Sequence, residues 1–267
     1  MPIDFSFSQD VEDARLMMRG FLHDTVKPAF AALQADKEAQ RADWSALVKS
    51  LRQKAKAQGF WLPHMPQDVG GMGLGVTALA AVSAEAAKIP MGPYIINAQA
   101  PDEGNMHTLY HFATDYQREH FLNPLLEGTA RSCFSMTEPD VAGSDPTLIQ
   151  TSAVEEGDEW VINGHKWFTS GAEGADFAIV IARTDPDAEI PQARNSAFIV
   201  PTNTPGFEII RDVETMGGRH NHPEIKYTDV RVPKTHLLGE RGGGHKLGQV
   251  RLGPARLAHC MRWLGQI

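Results

Sequence analysis

The chain has 267 residues, 42% of them hydrophobic and 22% charged. That is a globular balance, which excludes a disordered or low-complexity polymer and allows one large domain or two with a remainder. A formal charge of −8 without any dense Lys/Arg run argues against nucleic acid as a partner, and Cys133 and Cys260 form no C-x-x-C pair, so a reducing, cytoplasmic location is expected.

The N-terminus, MPIDFSFSQDVEDARLMMRG, carries early acids and has neither a basic leader region nor an unbroken apolar stretch. No signal segment is expected there, and no run of ~18 apolar residues suggests a membrane span. From residue 8 onward the periodicity is helical. Ser8 stands as N-cap ahead of Asp10 and Glu12, and Val11, Ala14, Met18, Phe21 and Leu22 recur at helical spacing. A second helix is predicted after Asp43, burying Trp44, Leu47, Val48 and Leu51 and stopping at Gly59.

Residues 70–75, Gly-Gly-Met-Gly-Leu-Gly, have G-x-G spacing. A dinucleotide fingerprint needs a strand before it, however, and both flanks here read as helical, so the stretch is a loop. Residues 77–88 form an alanine-rich helix suited to close packing, blocked beyond by Pro90 and Pro93. Shorter helices follow at 103–112 and 115–126, the latter ended by Gly128.

The pattern then changes to short β-branched or aromatic runs at 151–154, 160–163, 165–169, 177–182, 197–201, 207–210 and 225–230. Glu156-Gly157-Asp158 reads as a hairpin turn, and Asn163-Gly164 is the strongest two-residue turn signal. Strands without intervening helices predict an antiparallel sandwich or barrel. After Gly239 helical spacing returns in Leu247, Val250, Leu257, Met261 and Leu264, with Pro254 placed to kink or break the helix.

His220-Asn221-His222 has no third ligand at metal spacing and reads as a loop, so no metal is expected. A G-x-S-x-G elbow is absent, which leaves hydrolysis without support. The informative segments are SCFSMTEPDVAGSD, residues 132–145, and NGHKWFT, residues 163–169. Singly each is a polar turn or a core aromatic. Together they place small hydroxyls, backbone N–H groups and two aromatics on the rim of one barrel, which suits a ligand with a flat ring and phosphates. Thr137, Thr169 and the glycine-flanked Ser144 are its candidate donors.

These residues resemble the acyl-CoA dehydrogenase family. Its middle-domain pattern runs aromatic-x-hydrophobic-Thr-Glu-Pro, Gly-Ser-Asp, Asn-Gly-x-Lys and Trp-x-Thr. The chain matches it with Phe134-Ser135-Met136-Thr137-Glu138-Pro139, Gly143-Ser144-Asp145, Asn163-Gly164-His165-Lys166 and Trp167-Phe168-Thr169. Three further stretches resemble the branch of the large human members ten and eleven. They are Ala100-Pro101-Asp102-Glu103-Gly104-Asn105-Met106, Asp140-Val141-Ala142, and Arg251-Leu252-Gly253-Pro254-Ala255-Arg256.

The resemblance implies an all-α N-terminal helical domain at 1–130 and a small antiparallel β-barrel domain binding flavin and acyl-CoA at 131–240. It also implies the first helix of a C-terminal four-helix bundle at 241–267. A bundle of that kind needs on the order of 100 further residues, so the chain is read as lacking most of it. By similarity Phe134, Met136, Thr137, Gly143, Ser144, Trp167, Phe168 and Thr169 bind FAD. Trp167 would cover the ring, and Thr137 and Thr169 would bond to it. Ser144, Leu252 and Arg256 would meet the acyl-CoA.

The implied reaction is α,β-dehydrogenation of a saturated acyl-CoA, with electron-transferring flavoprotein as acceptor and a homo-oligomer as the working form. The general base is expected in the C-terminal domain. In a minority of the family it directly precedes the arginine matched by Arg256, where this chain has Ala255. An acyl-CoA oxidase, a flavin monooxygenase, or a non-catalytic FAD- and acyl-CoA-binding scaffold on the same fold are the alternatives.

Overall fold

The computed structural model describes residues 6–267, which divide into two compact units. The first comprises the described residues up to Glu103 together with Pro254–Ile267. Helix α1 (Gln9–Phe21) follows Ser8 and buries Val11, Met18 and Phe21. A π-helical turn, Leu22–Val26, leads into α2 (Lys27–Ala35), which has a proline in its first turn, where a missing N–H is harmless.

Helix α3 (Arg41–Ala57) starts ahead of the predicted point. Gln40 and Asp43 form a capping box, with the Gln40 N–H donating to Asp43 Oδ2 at 2.8 Å, so Asp43 lies inside the first turn. Leu51 and Ala55 are buried, whereas Trp44, Leu47 and Val48 are only half-buried. The glycine-rich stretch is a loop, as expected. The N–H groups of Gly70, Gly71, Met72 and Gly73 donate to the Gln67, Pro66, Leu62 and Met65 carbonyls, so they face their own chain and not an anion.

Helix α4 (Val76–Ala87) buries Glu85, which ties α4 to α1. Arg15 Nη1 and Arg19 Nη2 each donate to Glu85 Oε1 at 2.6 Å, and Lys88 Nζ does so at 3.1 Å. Burial works to raise this carboxyl, but the hydrogen bonds from Arg19, Lys88 and Arg15 outweigh it and hold the pKa at about 2. Helix α5 (Gly92–Ile95) completes the run.

The second unit is Gly104–Gly253. It takes in most of α6 (Asp102–Phe112), then α7 (Asp115–Gln117), a π-helical turn at Arg118–Leu122 and α8 (Asn123–Glu127), which Gly128 ends at φ +72. Eight strands follow: β1 (Ser132–Ser135), β2 (Ser152–Glu156), β3 (Glu159–Lys166), β4 (Phe177–Arg183), β5 (Asn195–Pro201), β6 (Phe207–Asp212), β7 (Pro223–Pro233) and β8 (Leu237–Leu238). They form one sheet in the order β6-β7-β3-β2-β4-β5-β8, with β1 beside β4. Most pairings are antiparallel, but β1 and β2 each run parallel to β4. The core gathers Cys133, Trp160, Ile162, Val180, Phe198, Ile225 and Tyr227.

Four expectations need correction. Asn163-Gly164 is not a turn: β3 passes through it with a bulge, and the expected strand at 165–169 ends at Lys166. The Asn163 side chain is occupied by Asp229, donating to its Oδ1 at 3.0 Å and accepting from its N–H at 2.8 Å. Gly164 is required because the Thr151 side chain fills the place of a β-carbon. Strands β1 and β8 went unpredicted, since four and two residues carry no periodicity. Finally, of the kink or break expected at Pro254, no break occurs: α9 (Gly244–Gln266) continues through it.

Candidate functional site

The motif residues converge where β1 leaves the sheet beside the end of β3. Just past β1, the Met136 carbonyl and Glu138 are held by Lys166, whose Nζ donates to Met136 O at 2.8 Å and to Glu138 Oε1 at 2.9 Å. Glu138 also accepts from the Gln150 and Thr151 N–H groups at 2.7 and 2.8 Å. Lys166 is fully buried, and burial pulls its pKa down to about 8 against the raising field of Glu138. Burial likewise works to raise the Glu138 carboxyl, yet the Lys166 charge and the amide donors hold it below the ordinary range. Glu138 is thus an anchor for the segment, not a reactive acid.

That anchor sets up the next contact. The Trp167 N–H donates to the Thr137 carbonyl at 3.0 Å, placing two of the predicted residues side by side. Gly143 closes on the same threonine: a β-carbon there would lie 2.8 Å from Thr137 Cγ2. Phe168 then turns through φ +49 and leaves its ring 42% exposed, packed edge-on against Trp167 at 4.9 Å. Thr137, Gly143, Trp167 and Phe168 therefore form one cluster. Met136 is half-buried beside it in sequence, and Ser144 is exposed in the following loop.

Thr169 is fully buried, and its Oγ1 pairs with Ser135 Oγ at 3.2 Å, so its hydroxyl is turned into the sheet. Phe134 has a partner from far along the chain. The Arg251 guanidinium lies 4.1 Å from its ring centroid, and Arg251 Nε donates to Asn105 Oδ1 at 2.9 Å. Asn105 in turn donates to Ser132 Oγ at 2.9 Å. Both residues stood in the branch motifs, but a single sequence cannot show that they pair. Leu252 follows Arg251 on α9 and is half-buried, while Arg256 is exposed on the part of α9 in the other unit.

The His220–His222 loop serves the backbone. Asp212 accepts from the Asn221 and His222 N–H groups at 3.0 and 2.5 Å, and His222 Nδ1 pairs with Ser170 Oγ at 2.8 Å. Among the described residues no group of three metal-ligating side chains occurs, and no helix is long and apolar enough to cross a membrane. An open cleft of about 440 Å³ takes in Glu138, Asp140, Gln150, His165 and Lys226, but none of Phe134, Thr137, Trp167 or Phe168 lines it.

The cluster fits a flat heteroaromatic group. The Trp167 ring is half-buried beside Phe168, so part of the indole remains open at the cluster. The exposed Phe168 ring offers a face, and the close approach at Gly143 keeps the Thr137 side bare of bulk.

Residues 8–129 match the sequence profile of the acyl-CoA dehydrogenase N-terminal domain, and residues 133–230 match that of the acyl-CoA dehydrogenase middle domain. The probable acyl-CoA dehydrogenase FadE2 of Mycobacterium tuberculosis is 42% identical over 98% of the chain, which spans 66% of that protein. Acyl-CoA dehydrogenase family member 11 of Homo sapiens is 40% identical over 82% of the chain, which spans 28% of it. A Mycobacterium abscessus structure assigned as an acyl-CoA dehydrogenase superposes with a TM-score of 0.88 at 35% identity, covering 98% of this chain and 68% of that one.

Proposed function

Because the chain belongs to the acyl-CoA dehydrogenase family, whose members are FAD-dependent oxidoreductases, we propose that it takes part in α,β-dehydrogenation of a saturated acyl-CoA to the 2-enoyl-CoA. The observation that carries the reading is the junction of Thr137 with Trp167, which brings the two halves of the flavin motif together through one backbone hydrogen bond of 3.0 Å. The bound flavin supplies the two-electron acceptor of the reaction.

This chain's own residues bind and orient. Trp167 and Phe168 wall the ring, Thr137 meets its polar edge, and Gly143 with Ser144 lies toward the phosphates. Phe134 and Met136 complete the wall, and Thr169 secures it from within. Arg256, with Leu252, addresses the CoA portion of the substrate, for which a guanidinium fork suits phosphate oxygens. No residue is assigned as the general base, since Ala255 cannot take a proton.

Two free cysteines, Cys133 and Cys260, fit a reducing compartment, which we take to be the cytoplasm. Electron-transferring flavoprotein is the proposed acceptor and a homo-oligomer the proposed working form. Ala255 also favours a second reading, an FAD- and acyl-CoA-binding scaffold without turnover. Anaerobic addition of acyl-CoAs of graded chain length to the FAD-loaded protein separates the two. Loss of the flavin's visible absorbance supports dehydrogenation, and unchanged absorbance with every ester contradicts it.

A further inference from the structure

The turn that presents Phe168 is held from both ends and from inside. A phenylalanine at φ +49 is an outlier that persists only where its surroundings over-determine it. On one side the Trp167 N–H is fixed to the Thr137 carbonyl, and on the other the Thr169 N–H is fixed to the Pro223 carbonyl, each at 3.0 Å. Inside the sheet, Thr169 Oγ1 pairs with Ser135 Oγ at 3.2 Å, and the Tyr227 hydroxyl donates to Ser135 Oγ at 2.9 Å. Thr169, Ser135 and Tyr227 are all buried, at 2% exposure or less.

A phenol buried among Ile162, Ile225 and Val230 has no packing need for its hydroxyl, and burying that group is unfavourable unless it is bonded. Burial also pushes the Tyr227 pKa well above its ordinary value, so the proton stays in place and is donated to Ser135. Ser135 Oγ, while accepting from Tyr227, also shares a hydrogen bond with Thr169 Oγ1, in which either hydroxyl can be the donor. The chain of three hydroxyls connects β7, the end of β1 and the turn beyond β3 without reaching solvent.

We infer that Tyr227 and Ser135 are positioning residues for ligand binding: through Thr169 they lock the left-handed turn at Phe168 and so hold its ring toward the bound flavin. The inference rests on the flavin reading above. It adds Tyr227, which lies outside the matched flavin motif, and gives Ser135 and Thr169, which lie within it, an inward task.

The test is a double-mutant cycle on FAD affinity, read by flavin fluorescence, with Tyr227→Phe, Ser135→Ala and Phe168→Ala. Tyr227→Phe, which removes one hydrogen bond, is expected to weaken FAD binding about two- to tenfold, and Ser135→Ala, which removes two, at least as much. In the Phe168→Ala background the same Tyr227→Phe change is expected to alter affinity less than about twofold, because the ring it positions is gone. An equal loss in both backgrounds overturns the inference, since it marks a general effect on the sheet. If Phe168→Ala binds FAD like the parent, the ring is not a contact and the inference falls while the flavin reading stands. No saturable FAD binding by the parent removes the flavin reading and the inference with it. Ser135→Ala runs the same cycle should Tyr227→Phe fail to fold.

Discussion

Lys166 Nζ lies 2.9 Å from Glu138 Oε1, and both side chains are buried. Neither group would be tolerated there alone, because a lone buried charge keeps its desolvation penalty without a compensating partner. The pair joins the segment after β1 to the end of β3, and the Thr137–Trp167 contact follows from that juncture.

Lys166→Met should therefore lower stability by about 3–5 kcal/mol, leaving Glu138 with only the Gln150 and Thr151 amides. The double change Glu138→Leu with Lys166→Met should recover part of that loss, as apolar replacement of a buried pair often does. Urea denaturation of the three proteins measures both effects.

Acid should weaken the first unit through Glu85. Its carboxyl titrates at about 2 in the folded chain against an ordinary value of 4.5. A group whose folded pKa is depressed contributes fully above its unfolded pKa, and that contribution is lost as pH falls through 4.5 toward 2. In the second unit, burial of His107, which brings its pKa to about 4 from 6.5, gives a separate loss of the same sign between those two values. Glu85→Gln should lower stability at neutral pH and flatten the acid limb, as measured by thermal unfolding at stepped pH.

Gly164→Ala should destabilise the sheet by about 1–3 kcal/mol, since the new methyl group meets Thr151 in a packed bulge. Thr151→Ala in the same background should restore part of the loss. Full stability of Gly164→Ala in urea would show that the bulge relaxes freely.

The change from helical to strand periodicity near residue 130 and the hairpin at Gly157, which takes φ +59, were legible in the sequence because they depend on local pattern and turn chemistry. Asn163-Gly164 misled because its turn signal is local, whereas its actual partners, Asp229 and Thr151, are distant in sequence and override it. Strand β1 was hidden for a related reason: four residues pair in parallel with β4 only after a long connection. Within the site, the residue types of the motif were readable, but the tether of Arg251 to Phe134 and the inward aim of Thr169 depend on tertiary contacts.

Arg251→Met should loosen Phe134 by removing both the cation over its ring and the bond to Asn105. A cation–π contact with a partly buried partner and one hydrogen bond together suggest a loss of about 1–3 kcal/mol. Arg251→Lys keeps the charge but not the planar fork, and should lose a substantial part of the same stability. Chemical denaturation of both variants checks the order.

FAD is proposed to be held at the Thr137–Trp167 junction. That placement is tested most directly by titrating FAD into the apoprotein and comparing the parent with Trp167→Ala at matched folded fraction. Saturable binding at one FAD per chain is expected, weakened about tenfold or more when the indole face is removed. Equal FAD affinity in the two proteins, or no saturable binding by the parent, would contradict it.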